Sequence, residues 1–199
     1  MYSELEDCTQ DWSFDSNTYD YIHMRYLNGS IVDWLALFRE AYRTLRPGGY
    51  IESCEASART SCDDDTLDPN SATHRWSEIF LEFGRKTGRS FILSEDHGFK
   101  KVMEEAGFVD VKEHPFKMPT SGWPKDPHLR EIGDYVNLSV EADGAGYVLF
   151  LTNVLGWSRE EVELFVAQVR KEGRQRRIHA YFFGAMVVGR KPFPEEITA

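Results

Sequence analysis

The 199-residue chain contains neither of the two glycine-rich phosphate loops, G-x-G-x-x-G or G-x-x-x-x-G-K-[ST]. The backbone cradle that such loops give a nucleotide-like cofactor is therefore missing from these residues. Cysteine is scarce. Cys8, Cys54 and Cys62 form no C-x-x-C pair, and their odd count and loose spacing exclude a disulfide framework and fit a reducing compartment. There is no G-x-S-x-G elbow, which removes an acyl-transfer serine. His74 and His97 lack closely spaced Asp or Cys partners. Asp63-Asp64-Asp65 lacks the spacing of a calcium loop, so no metal is expected. No apolar N-terminal run has a basic flank, and no apolar stretch reaches about eighteen residues. The chain reads as soluble and cytoplasmic, with a nuclear location open to a regulatory protein. Basic residues are the minority charge, 23 against 33 acidic, for a net charge of -10. That excludes broad phosphate-backbone binding and points away from nucleic acid and membrane partners. The one basic run, Arg170 to Arg177, follows an acidic helix and caps it.

What the chain has is aromatic and apolar bulk: five Trp, nine Tyr and thirteen Phe, with 41% hydrophobic residues. These suit a packed core, a large apolar ligand or a substantial interface, in a single domain spanning residues 1–199. Tyr19 to Met24 alternates as a strand. Asn28-Gly29-Ser30 turns, and Ser30 or Asp33 caps a helix carrying Trp34, Leu35, Phe38, Ala41, Tyr42 and Leu45. Arg46-Pro47-Gly48-Gly49 stops that helix, and Tyr50 to Glu55 is a second strand. Residues 56–71 read as an exposed polar loop. Helical stripes follow at Trp76, Ile79, Phe80 and Phe83, and at Phe99, Val102, Met103 and Ala106. Phe108 to Lys117 is a third strand, and residues 128–156 are mostly apolar helix. Ser158 and Glu161 form a capping box for a helix through Val169. Ile178 to Gly189 is a long apolar strand from the middle of a sheet. The pattern is an α/β domain, half of a doubly wound sheet with a helical insertion.

Several segments then carry a specific likeness: F-D-S-N-T-Y-D-Y-I-H-M-R from Phe14 to Arg25, N-G-S-I-V-D-W from Asn28 to Trp34, and F-R-E-A-Y-R-T-L-R-P-G-G-Y-I-E from Phe38 to Glu52. L-G-W-S-R-E-E from Leu155 to Glu161, Arg177 to Tyr181 and Gly189 to Pro192 add to it. Together they resemble the fungal S-adenosylmethionine-dependent methyltransferases of secondary metabolism, the class I group similar to the velvet-complex regulator. The L-R-P-G-G-Y-I-E stretch is shared by most class I methyltransferases, whereas I-H-M-R with G-W-S is narrower. The resemblance implies a Rossmann-like sheet of order 3-2-1-4-5-7-6. Leu5 to Trp12 would then end the third strand, and Tyr19–Met24, Tyr50–Glu55, Phe108–Lys117 and Ile178–Gly189 match strands 4, 5, 6 and 7. Strands 1 and 2, the glycine loop and the ribose-binding acid would lie before Met1. The expected sheet is 4-5-7-6 with the last strand antiparallel. Strand 4 is left as an edge, covered by a homodimer, by exchanged N-terminal segments or by a partner chain.

Strand ends in such sheets point into the ligand crevice. His23, Arg25 and Tyr26 end the first strand; Glu52, Glu55 and Ser57 end the second. Segments 72–97 and 120–156 would form a lid, bringing Trp76, Phe80, Phe83, His97, Trp123 and Tyr135 to an apolar substrate. His23 is either a satisfied histidine on the sheet or a proton-transfer group. Glu55 either caps a helix or pairs with Arg25, or it is desolvated into a general acid or base. Arg25 is either that salt-bridge partner or a clamp for an enolate or carboxylate oxygen. His179 and Tyr181 on the last strand read as core. For the cofactor, the resemblance sets Asp7 and Trp12 toward an adenine.

Three functions fit this inventory. The leading one is a methyltransferase-like enzyme that works without cofactor, catalysing a cyclisation, isomerisation or pericyclic step on a polyketide- or terpenoid-type intermediate. The second is an S-adenosylmethionine-dependent small-molecule methyltransferase whose cofactor site a partner chain completes. The third is a non-catalytic scaffold or regulatory subunit.

Overall fold

The computed structural model describes residues 6–197, so Leu5 of the segment read as the end of a third strand lies outside them. Strand β1 (Tyr19–Arg25), helix α1 (Trp34–Thr44), strand β2 (Leu45–Ser61), helices α2 (Ala72–Thr87) and α3 (Gly98–Glu105) and strand β3 (Val109–Pro119) come first. Helices α4 (Pro127–Leu155) and α5 (Arg159–Gly173), strand β4 (Tyr181–Arg190) and the short α6 (Pro194–Ile197) complete the order. The strands form one four-stranded sheet in the order β1-β2-β4-β3, which is the expected 4-5-7-6. β1 and β2 are parallel, with His23 opposite Glu52. β4 runs back against both neighbours. Lys191, just past its end, bonds Gly48 and Gly49 near the start of β2, and Ala180, just before its start, accepts from Thr120 past the end of β3.

β2 departs from the sequence reading at both ends. The register jumps from Tyr19↔Leu45 to Tyr21↔Tyr50, so Arg46-Pro47-Gly48-Gly49 is a bulge within the strand and not a turn before it. Gly48 sits at φ +82°, and a Cβ there would stand 2.6 Å from Phe193 Cζ. At the far end, residues 56–61 continue the strand instead of opening the loop. The buried side chains there, Ser57 and Thr60, follow buried Ser53 and Glu55, and these polar groups give no apolar alternation to read.

The chain divides into two compact units: Met1–Glu55 with Leu93–Pro115 and Ala185–Ala199, and Ala56–Ile92 with Phe116–Gly184. In the first unit, Asp33 caps α1 by accepting from Ala36 N at 2.9 Å, and the helix buries Trp34, Leu37, Phe38 and Ala41. These pack with Met24, Ile51, Phe99, Met103 and Val187, and Trp34 meets Phe99 edge-on at 4.7 Å. Lys191 is buried among acceptors, its Nζ 2.8 Å from Leu45 O and 2.9 Å from Asn17 Oδ1. In the second unit, α2, α4 and α5 close around Trp76, Ile79, Phe83, Val148, Phe165 and Val166. The capping box at Ser158 and Glu161 is present. α4 kinks at Asp143 (φ -144°, ψ 46°), whose carboxylate accepts from Gly146 N at 3.0 Å and restarts the helix. Among the described residues no helix is long and apolar enough to cross a membrane.

Candidate functional site

Alternation along β1 puts Ile22 and Met24 toward the core, and leaves His23 and Arg25 on the other face, exposed. On the neighbouring strand Glu52 shares that outward face. Its Oε1 lies 2.9 Å from His23 Nδ1, an orienting hydrogen bond that fixes the imidazole. The Arg25 guanidinium lies over the Tyr26 ring at 4.7 Å. Cys54 stands opposite Arg25 in the register, and burial pushes its thiol up, away from a reactive thiolate.

The chain leaves β1 under strain. Tyr26 takes φ +54°, the left-handed region that a bulky residue occupies only when held there. Its N–H donates to Cys54 O at 3.2 Å. Glu55 then accepts from Leu27 N on Oε1 and from Asn28 N on Oε2, each at 2.9 Å. Fully buried, Glu55 is pushed up by desolvation, and the two backbone donors pull it down. Glu55 therefore neither caps a helix nor ends its strand, and both its oxygens are engaged. Its geometry is that of a clamp positioning the β1–α1 loop and the Arg25-Tyr26 pair on it.

The other anticipated substrate contacts spread out. α2 ends at Thr87, and His97 belongs to the first unit, where it opens α3 at φ +59° and pairs with Glu113. In the second unit Trp76 and Phe83 are 7% and 2% exposed and serve as core, with Phe80 packed 5.6 Å from Trp76. Trp76 also borders a cavity of about 40 Å³ with Thr60, Thr73, Asn137 and Phe182, room for about one water. Tyr135 is 65% exposed on the outer face of α4. Trp123 is half-buried, its indole N–H on Ala180 O at 2.9 Å and its ring 4.9 Å from that of His179.

That last contact exposes a misreading. Tyr181 is core as expected, at 8% exposure, but His179 stands part-exposed and pairs with Asp64. The signal was available in Asp63-Asp64-Asp65 and the alternation of His179 with Tyr181. No local pattern joins the two, because the polar loop and the last strand are over a hundred residues apart.

The two residues set toward a cofactor are engaged within their own turn. Asp7 accepts from Thr9 N at 2.9 Å and Thr9 Oγ1 at 2.7 Å, and Trp12 Nε1 donates to Cys8 O at 3.2 Å. By themselves these groups do not fit a nucleoside, which needs free donors and acceptors at its edge.

A family model described as a methyltransferase domain matches residues 4–113. The chain is 38% identical over 190 residues to the methyltransferase pytC of Aspergillus terreus, covering 95% of this chain and 58% of the relative. It is 33% identical over 179 residues to the secondary metabolism regulator LAE1 of Cochliobolus heterostrophus, covering 88% of this chain and 57% of the relative. The chain thus spans under two thirds of the length of these relatives. Among solved structures, the phosphoethanolamine N-methyltransferase 2 of Haemonchus contortus, in complex with S-adenosyl-L-methionine, superposes with a TM-score of 0.51. It is 17% identical, with 94% of this chain and 36% of that chain covered, and shows the class I methyltransferase fold.

Proposed function

We propose, from the premise that this chain belongs to the methyltransferase-domain family of fungal secondary-metabolism proteins, that it forms the acceptor side of a small-molecule methyltransferase. The acceptor is an apolar intermediate of polyketide or terpenoid type, and S-adenosylmethionine is the methyl donor. The observation that carries this reading is the strained, clamped loop after β1. Backbone strain at Tyr26, held by Cys54 O and the buried Glu55 carboxylate, is the mark of a segment kept in one conformation for a purpose. The loop presents Arg25 and Tyr26 at the carboxyl end of β1, where α/β sheets hold ligands. Arg25 offers a forked donor to an oxygen that gains negative charge, and the His23–Glu52 pair offers an oriented imidazole beside it. The cofactor's own contacts are completed by a second copy of this chain, in the dimer expected across the β1 edge.

A second reading is favoured by the self-contained turn at Asp7 and Trp12. In it the fold works without cofactor and catalyses a cyclisation, isomerisation or pericyclic step, for which shape, exclusion of water and one or two hydrogen bonds suffice. Calorimetric titration with S-adenosylmethionine and S-adenosylhomocysteine separates the two. Micromolar binding is the expected result. A folded chain that binds neither compound removes methyl transfer and leaves the cofactor-independent reaction.

A further inference from the structure

The segment after β2 and the start of β4 build a titratable cluster inside the second unit, apart from the strand-end groups already described. His179 Nδ1 bonds Asp64 Oδ2, and its backbone N–H donates to Thr66 Oγ1 at 2.8 Å. Asp64 Oδ1 also accepts from Thr66 Oγ1 at 2.8 Å and from Cys62 Sγ at 3.1 Å. On the same strand Tyr181 donates its hydroxyl to Asp63 Oδ1 at 2.7 Å. Lys117, from β3, pairs with Asp63 and lies 4.3 Å over the Tyr181 ring. Trp123 covers one face of the imidazole at 4.9 Å, its ring tilted by 32°.

Three features lift this cluster above a loop staple. First, Asp63 is engaged by Lys117 and Tyr181, so the loop is already tied down without His179. Second, Asp64 is an ionised acceptor, held well below the usual carboxylate range chiefly by its bond to His179. A carboxylate on Nδ1 fixes that nitrogen as the N–H and leaves the ring lone pair on Nε2. Third, the His179 side chain is 36% exposed, and one ring face rests on an aromatic platform. The cluster also stands where β2 and β3 end and antiparallel β4 begins, at the carboxyl end of the sheet.

We propose that His179 is a general base, oriented by Asp64, for an aromatic or enolisable substrate lying against Trp123. Its substrate class rests on the acceptor-side reading, and its geometry lies within the second unit alone. Nε2 takes the proton of a phenol, an enol or a carbonyl-activated C–H. The electron pair stays on the substrate oxygen or carbon as phenolate or enolate, ready to attack an electrophile or to rearrange. His179 is the catalytic group, and Asp64 is a positioning residue.

The test uses 5-nitrobenzisoxazole as an apolar C–H acid. The base removes its ring C–H proton, the C–N bond becomes a nitrile, the N–O bond breaks, and a coloured nitrophenolate forms without any co-reactant. The wild-type chain should accelerate this reaction over buffer. His179→Gln should lower the rate by about 100-fold, within the usual range for a general base. Asp64→Asn should lower kcat, and Trp123→Ala should raise KM. A wild-type rate no higher than that of His179→Gln overturns the proposal. So does long-range nitrogen–proton NMR that finds the neutral ring protonated on Nε2, a readout independent of turnover and of whether a variant folds. Neither measurement contains S-adenosylmethionine, so failure of the methyl-transfer reading and failure of this one are seen separately.

Discussion

Glu55 shows what a single buried carboxylate does in this fold. Its two oxygens satisfy the Leu27 and Asn28 N–H groups and hold Tyr26 at positive φ. Glu55→Ala should cost about 2–6 kcal/mol, the sum of roughly 1–3 kcal/mol for each of the two part-buried donors left without a partner, read by urea denaturation. Surface carboxylates act through pH instead. Asp63 is held down chiefly by Lys117, Asp64 by His179, and Glu196, at about 2, by Arg190. Lowered folded-state values mean that the unfolded chain takes up protons first as pH falls. These pairs stabilise the protein above about pH 4, the ordinary carboxylate range, and the contribution is lost as pH drops through the folded values. Glu55 has the opposite sign: its raised value gives stability that is fully present below the ordinary carboxylate value and lost as pH rises through the folded one. Thermal midpoints between pH 7 and pH 3 should fall on the acid side, less steeply in Asp64→Asn. Equal slopes would mean that the Asp64–His179 pair adds nothing.

At the scale of elements, local chemistry set most boundaries. Asp33, Ser71, Asp126 and Ser158 each accept from a backbone N–H in the first turn of their helices, and Gly88 and Gly156 close α2 and α4 at positive φ. Ser158→Ala removes one half of a reciprocal cap and should destabilise the chain by about 1 kcal/mol, measured by denaturation, with the loss of helix confined to the start of α5. β2 was legible only in its centre. The R-P-G-G bulge imitates a turn, and the run from Ala56 to Ser61 buries serine and threonine hydroxyls where an apolar pattern is the usual sign of a strand. Thr60 is satisfied by Ser77 of α2, with its N–H 2.7 Å from Ser77 Oγ, a pairing that no local window contains.

For the whole molecule, two separate cores matter more than one continuous apolar crevice. The first is built on α1, α3 and strands β1, β2 and β4, the second on α2, α4 and α5. Aromatic residues expected to line a substrate pocket went instead to fill the second core, since a large flat ring removes most area from water when buried on both faces. The acidic surface is also a property of the whole. With a net charge of -10, the chain should not shift duplex DNA in a gel at about 0.15 M salt, where screening leaves only short-range contacts. A retarded, salt-sensitive complex would contradict that.

The sequence by itself determined the α/β class, the caps at Asp33 and Ser158 and, through the resemblance its motifs carry, the strand order and the methyltransferase family. These rest on periodicity, capping chemistry and motifs, which act over a few residues and survive reading in one dimension. Tertiary structure alone decided that Glu55 is a clamp, that Trp76 and Phe83 are core, that His97 faces Glu113, and that Asp64 reaches His179 across 115 positions of chain. Such outcomes depend on which faces of distant elements meet, and burial and partner choice are fixed only when the chain closes on itself.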